Sequence, residues 1–150
     1  RMVPQQTPRG AERFELRLEA TGSQARTALT DTMQRLAQLG LPSHRAGDIQ
    51  LVLAEALNNV VEHAYENAGH GAITLLCDLG PETLDICIVD TGKPLPGGVL
   101  PPAEFPDLAG PLDGLPEGGF GWCLIHELTS CVQYRRENAT NYLSFGFRIS

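Results

Sequence analysis

Apolar and polar residues alternate along Phe14, Leu16 and Leu18 against Glu15, Arg17 and Glu19, which is the period of a strand with one buried face. Thr21-Gly22-Ser23 then offers a helix cap, and Ala25, Ala28, Leu29, Met33, Leu36 and Ala37 recur at helical spacing, predicting a helix over 24–39. Gly40-Leu41-Pro42 ends it, and Ser43 is placed to cap a second helix running to about Tyr65. The buried stripe of that helix is Ile49, Leu53, Ala56, Leu57, Val60 and Ala64. Ala72–Leu79 and Thr83–Asp90 read as strands joined by a tight turn at Gly80-Pro81-Glu82. A short helix beginning near Gly121 carries Trp122, Leu124, Ile125 and Leu128. Cys131–Arg136 and Tyr142–Ile149 read as a closing hairpin turned at Asn138–Asn141. The order β-α-α-β-β-loop-α-β-β predicts an α+β fold, a two-layer α/β sandwich with helices on one face of a mixed, mostly antiparallel sheet.

Composition changes this picture in one place. The 150 residues hold 16 Gly and 11 Pro, and 8 of those glycines and 7 of those prolines fall between Gly92 and Gly121. The rest reads as one ordinary domain, 13–150, behind a frayed polar tail, 1–12. With 42% hydrophobic and 19% charged residues the chain is neither disordered by composition nor membrane-embedded. Its net charge of −7 argues against binding nucleic acid through the phosphate backbone, which needs a basic face. No run of about 18 apolar residues exists for a membrane helix, and the first residues lack the apolar stretch of a signal peptide, so a cytoplasmic location is expected. Cys77, Cys87, Cys123 and Cys131 form no C-x-x-C pair; buried reduced thiols are expected, without zinc.

Three segments offer chemistry. Glu55, Asn59 and His63 stand four apart on the second helix, drifting only about 40° per step, so they form one polar line along the border of the buried stripe. A carboxylate can take a proton from a hydroxyl nucleophile, and an amide oxygen one turn away can ligate Mg²⁺, the two functions that phosphoryl transfer requires. A solvated helix border would show the same spacing. Asp90-Thr91-Gly92 ends the third strand; a carboxylate there can accept from an exocyclic amine, and a glycine lets a flat ring approach, although Asp-x-Gly also makes ordinary turns. Gly118-Gly119-Phe120-Gly121 runs straight into a helix, where exposed N–H groups favour an anion, and a ligand-free hinge would use the same glycines. Neither a Walker A motif nor a dinucleotide fingerprint is present.

Taken in this order, the segments resemble the GHKL (Bergerat-fold) ATP-binding superfamily. Glu55-Ala-Leu-Asn-Asn59-Val-Val-Glu-His63-Ala-Tyr65 is similar to its N-box, Asp90-Thr-Gly92-Lys-Pro94 to its first glycine box, and Gly118-Gly119-Phe-Gly121-Trp-Cys-Leu-Ile to its second. Within that superfamily the pattern is most similar to bacterial anti-sigma factor serine kinases of the RsbW/SpoIIAB type. The resemblance implies Glu55 as general base and Asn59 as Mg²⁺ ligand. It also implies nucleotide contacts at Asn59, His63, Asp90 (to the adenine amine), Gly92, Gly119 and Gly121, with residues 93–118 as an ATP lid. The implied cofactors are ATP and Mg²⁺. The implied partners are an anti-anti-sigma (STAS) protein, phosphorylated on Ser or Thr, a sigma factor, and a second copy of the chain in a homodimer. A non-catalytic nucleotide-binding module or a stand-alone ATPase would share the same boxes. The Gly-Thr pair many relatives carry before the last strand is absent; Asn141-Tyr142 stands in that region.

Overall fold

The computed structural model describes residues 12–66, 70–102 and 119–150. Five strands, β1 (Glu12–Glu19), β2 (Ala72–Leu79), β3 (Thr83–Asp90), β4 (Cys131–Glu137) and β5 (Thr140–Arg148), form one sheet in the order β1-β2-β3-β5-β4. Every neighbouring pair is antiparallel, so the sheet expected to be mixed has one sense of pairing throughout. Three helices, α1 (Gly22–Gln38), α2 (Ser43–Asn59) and α3 (Gly119–Leu128), complete the expected two-layer α+β sandwich.

Period-two alternation decides which sheet face is covered. Ile73, Leu75, Leu84, Ile86, Ile88, Leu143, Phe145 and Phe147 all point to the helices and are buried, meeting Ala28, Leu36, Ile49, Leu53, Leu57 and Ile125 in one core. Their neighbours on the other face, among them Leu76 at 39% exposure, line an open concavity of about 590 Å³ with Arg13, Asp85, Cys87 and Cys131. None of the four cysteines is disulfide-bonded. Cys77 and Cys123 are buried as expected, whereas Cys87 is half-buried and Cys131 exposed, because both stand on the uncovered face. Burial pushes the Cys77 thiol up to about 12, far from nucleophilic use.

Local signals placed the elements with small displacements. Thr21 caps α1, its Oγ1 accepting from the Gln24 N–H at 3.1 Å. Ser43 does not cap α2; Pro42 occupies that position without a side-chain bond, and Ser43 is already helical. The hairpin turn is narrower than expected, so Asn141 lies inside β5 and not in the turn.

The last expected turn of the second helix differs most. Residues Val60–Ala64 form a π-turn, closed by the Tyr65 N–H on the Val60 carbonyl at 3.1 Å. The cause is tertiary. The widened turn presents the Ala64 carbonyl to the Lys93 N–H, 2.8 Å away, and fastens the end of β3 to the end of α2.

Among the described residues, one buried side-chain polar atom lacks a partner: Thr32 Oγ1 in α1 makes no hydrogen bond. Thr32→Val keeps the shape and removes the desolvated hydroxyl, so stability should rise by about 1–2 kcal/mol in urea unfolding. An unchanged or lower midpoint would count against that reading.

Candidate active site

The polar ladder on α2 and the ends of β3 and β5 converge on one small cavity. Asn59, His63, Asp90, Lys93, Leu95, Trp122, Tyr134 and Asn141 line it. Its volume is about 40 Å³, close to one water's share, against about 300–1,000 Å³ for a drug-sized ligand pocket.

Asp90 is the charged group at its floor, 4% exposed. Its Oδ1 accepts from the Gly92 N–H at 2.9 Å and from Asn141 Nδ2 at 2.8 Å. Among the described residues both donors address Oδ1, which leaves Oδ2 for an incoming donor. Burial holds the carboxyl above the ordinary 3.8, and the Asn141 amide, the Gly92 N–H and the Arg136 guanidinium pull the other way.

Gly92 has a packing reason to be glycine. A Cβ there would stand 2.3 Å from the Ala64 carbonyl oxygen and 2.7 Å from its carbon. The glycine thus serves the contact between the strand end and the π-turn. Tyr65 secures the same junction: its hydroxyl accepts from the Thr91 N–H at 2.9 Å and donates to the Ala72 carbonyl at 2.7 Å.

Glu55, one turn before Asn59, is half-buried and faces the start of α3. Its Oε2 lies 2.6 Å from where a Gly121 Cβ would stand, so the carboxylate occupies the space that this glycine leaves open. Gly119 opens α3, two residues earlier. Trp122, next to Gly121, lines the cavity with Asn59 and links the Glu55 corner to the Asp90 corner.

The ladder is therefore not one straight line. Glu55 and Asn59 share α2, whereas His63 sits in the π-turn. It touches the cavity, but its side chain is 67% exposed with Glu62 Oε2 4.0 Å away. The expected lid, 93–118, is described only to 102, and that part is tied down. The Lys93 N–H bonds the Ala64 carbonyl, the Leu95 N–H donates to the Tyr134 hydroxyl at 3.1 Å, and His126 Nε2 meets the Pro101 carbonyl at 3.0 Å. Lys93 also pairs with Glu66. Gly118 and residues 103–117 lie outside the described residues.

Tyr134 and Arg136 were not expected at the site. Tyr134 Oη donates to Asn141 Oδ1 at 2.7 Å, and Arg136 Nη1 bonds the same oxygen at 2.8 Å and the Gly92 carbonyl at 2.9 Å. The signal for them was alternation: both share the parity of Val132, on the helix side of β4.

Comparison with known proteins agrees with this architecture. Residues 18–147 match the family model described as a histidine kinase-like ATPase domain. The serine-protein kinase RsbW of Bacillus mycoides (strain KBAB4) is 28% identical over 134 residues, 88% of this chain and 82% of its own. The RsbW of Bacillus cereus (strain ATCC 10987 / NRS 248) is similar to the same extent. A crystal structure of RsbU and RsbW domains from Mycobacterium tuberculosis superposes with a TM-score of 0.64 at 18% identity, which speaks for the fold. That match covers 92% of this chain and 32% of the other.

Gly92→Ala should be costly, because the obstacle is backbone. A loss of about 3 kcal/mol, at the top of the overpacking range, is expected in urea unfolding. A loss below about 0.5 kcal/mol would mean that the strand end and π-turn are not fastened as described.

Proposed function

This chain belongs to the histidine kinase-like ATPase domain family, and we propose that it is an ATP-dependent protein serine/threonine kinase of the anti-sigma type. The observation that carries the reading is the Glu55 carboxylate against Gly121 at the first turn of α3. A helix start favours phosphate, and a carboxylate beside it stands where an attacking hydroxyl must lose its proton.

The assignments follow from that corner. Amides at Gly119 and Gly121 receive the phosphates. Glu55 accepts the proton of a Ser or Thr hydroxyl on the partner as its oxygen takes the γ-phosphoryl group, and ADP departs. Asp90 Oδ2 accepts from the adenine amine, and His63 flanks the opening. When bound, Mg²⁺ would neutralise phosphate charge, and as a hard cation it would need one or two oxygen ligands from the protein. A single amide oxygen at Asn59 suits that requirement; the described residues hold no cluster of three or more His, Cys, Asp or Glu that would form a cage. The resemblance supports an anti-anti-sigma (STAS) protein as substrate, a sigma factor as second partner, and a homodimer. A cytoplasmic setting without direct nucleic-acid contact accords with the net charge of −7. No helix among the described residues is long and apolar enough to cross a membrane.

Incubation with Mg-ATP and a cognate STAS protein tests this. Wild type should phosphorylate a Ser or Thr, and Glu55→Gln should lower the rate by about 10²–10⁴-fold with ADP affinity retained. Gly121→Ala should also slow transfer, since its Cβ displaces the flexible end of Glu55. Binding of both nucleotide and STAS protein without transfer in wild type would instead mark a non-catalytic module.

Acidity gives an independent check. With Oδ1 taken by the Gly92 N–H and the Asn141 amide, Oδ2 accepts from the adenine amine only when Asp90 is ionised, and burial raises its pKa. ADP affinity should therefore fall on acidification at a pH above 3.8, the ordinary Asp value. Calorimetry from pH 8 downward that showed no loss before the ordinary range would contradict the role given to Asp90.

A further inference from the structure

The Asn141 side chain spends all of its hydrogen-bonding capacity at the cavity. Its Nδ2 donates to Asp90 Oδ1 at 2.8 Å, to the Lys93 carbonyl at 3.0 Å and more weakly to the Gly92 carbonyl at 3.3 Å. Its Oδ1 accepts from Tyr134 Oη and Arg136 Nη1. Turning the amide over would set its oxygen against a carboxylate and two carbonyls, so only one orientation is tenable. Tyr134 then accepts from the Leu95 N–H, which carries the chain of bonds from the cavity floor into residues 93–96 along its wall.

From this arrangement we propose that Asn141 is the positioning residue for nucleobase selection, and that Tyr134 extends its hold to the segment at Leu95. The inference rests on the nucleotide reading given above. Asn141 fixes which Asp90 oxygen remains open. With Oδ1 filled by two donors, Oδ2 meets the ligand as a pure acceptor, matched to a 6-amino purine and mismatched to a 6-oxo purine. Without the amide, Oδ1 keeps only the Gly92 N–H, so the buried carboxyl turns more readily and keeps a proton more readily, and a protonated carboxyl donates to a 6-oxo group. The Asn141 contact is also the first of the influences that oppose the burial of Asp90, in keeping with that role.

The test is calorimetric binding of ADP and of IDP, its 6-oxo counterpart, to the full chain and to Asn141→Leu and Tyr134→Phe, with amide hydrogen exchange read at Leu95. Wild type should prefer ADP by about tenfold to a hundredfold, the range of a hydrogen bond to a charged acceptor. Asn141→Leu should bring the two affinities within about threefold. ADP should increase protection at Leu95 in wild type and leave it unchanged in Tyr134→Phe. Equal weakening of both nucleotides in Asn141→Leu, with the preference kept, overturns the proposal and leaves Asn141 a structural residue. No preference in wild type overturns it as well. Should Asn141→Leu not fold, Tyr134→Phe decides: an ADP-induced gain at Leu95 as large as in wild type overturns the proposal. Wild type that binds neither nucleotide overturns the nucleotide reading itself, a result distinct from the others.

Discussion

A buried carboxylate has to be satisfied from within the protein, and Asp90 sets the terms for everything around it. Asp90 and Asn141 face each other across β3 and β5 in register, and with Thr32 they are the buried polar residues of the described structure. The strand cannot end in an ordinary way beyond such a group. The Gly92 N–H turns back onto it, the Lys93 N–H is sent to the π-turn, and the carbonyls of Gly92 and Lys93 are taken by Asn141. The lack of a Cβ at Gly92, the widened turn at 60–64 and the burial of an amide in β5 are three answers to one constraint.

That constraint also divides labour across the site. At the Asp90 end the carboxylate is buried and two donors hold its Oδ1, which suits recognition by donor–acceptor matching. The Glu55 end is half-buried, and its carboxylate faces a glycine at a helix start, with no fixed partner among the described residues. For the general base proposed above, which would gain and lose a proton in each cycle, such an unpaired setting is the better one. The two ends are joined by a single turn of α2, Glu55 to Asn59, and by Gly121-Trp122 on the facing helix.

Much of this was legible in the sequence. The alternation of Leu84, Ile86 and Ile88 carried Asp90 onto the covered face, and the spacing of Ile49, Leu53, Ala56 and Leu57 put Glu55 and Asn59 at the border of the buried stripe. What was not legible is tertiary in origin. A period of 3.6 residues holds no sign of a turn closed over five, because the Lys93 and Gly92 backbone that favours it lies some thirty residues away. His63, the third step of the polar line, consequently stands on the π-turn with an exposed side chain at the cavity's edge. Asn141 reads as part of the turn because it shares turn chemistry with nearby Asn138. Counting back by twos from Phe147, Phe145 and Leu143 gives it an inward position on β5. The thiols were misjudged in the converse way: Cys87 and Cys131 have the hydrophobicity of core residues, but the sheet has helices on one side only.

Trp122 is the sole tryptophan of the chain, 8% exposed, with its indole against the same cavity as Asp90 and Asn59 and within ring contact of His126. The molecule's long-wavelength emission therefore comes from one place, not from an average over the fold. Wetting, quenching or reorientation there registers without any label, and events elsewhere, including on the uncovered sheet face, remain dark unless they reach that wall.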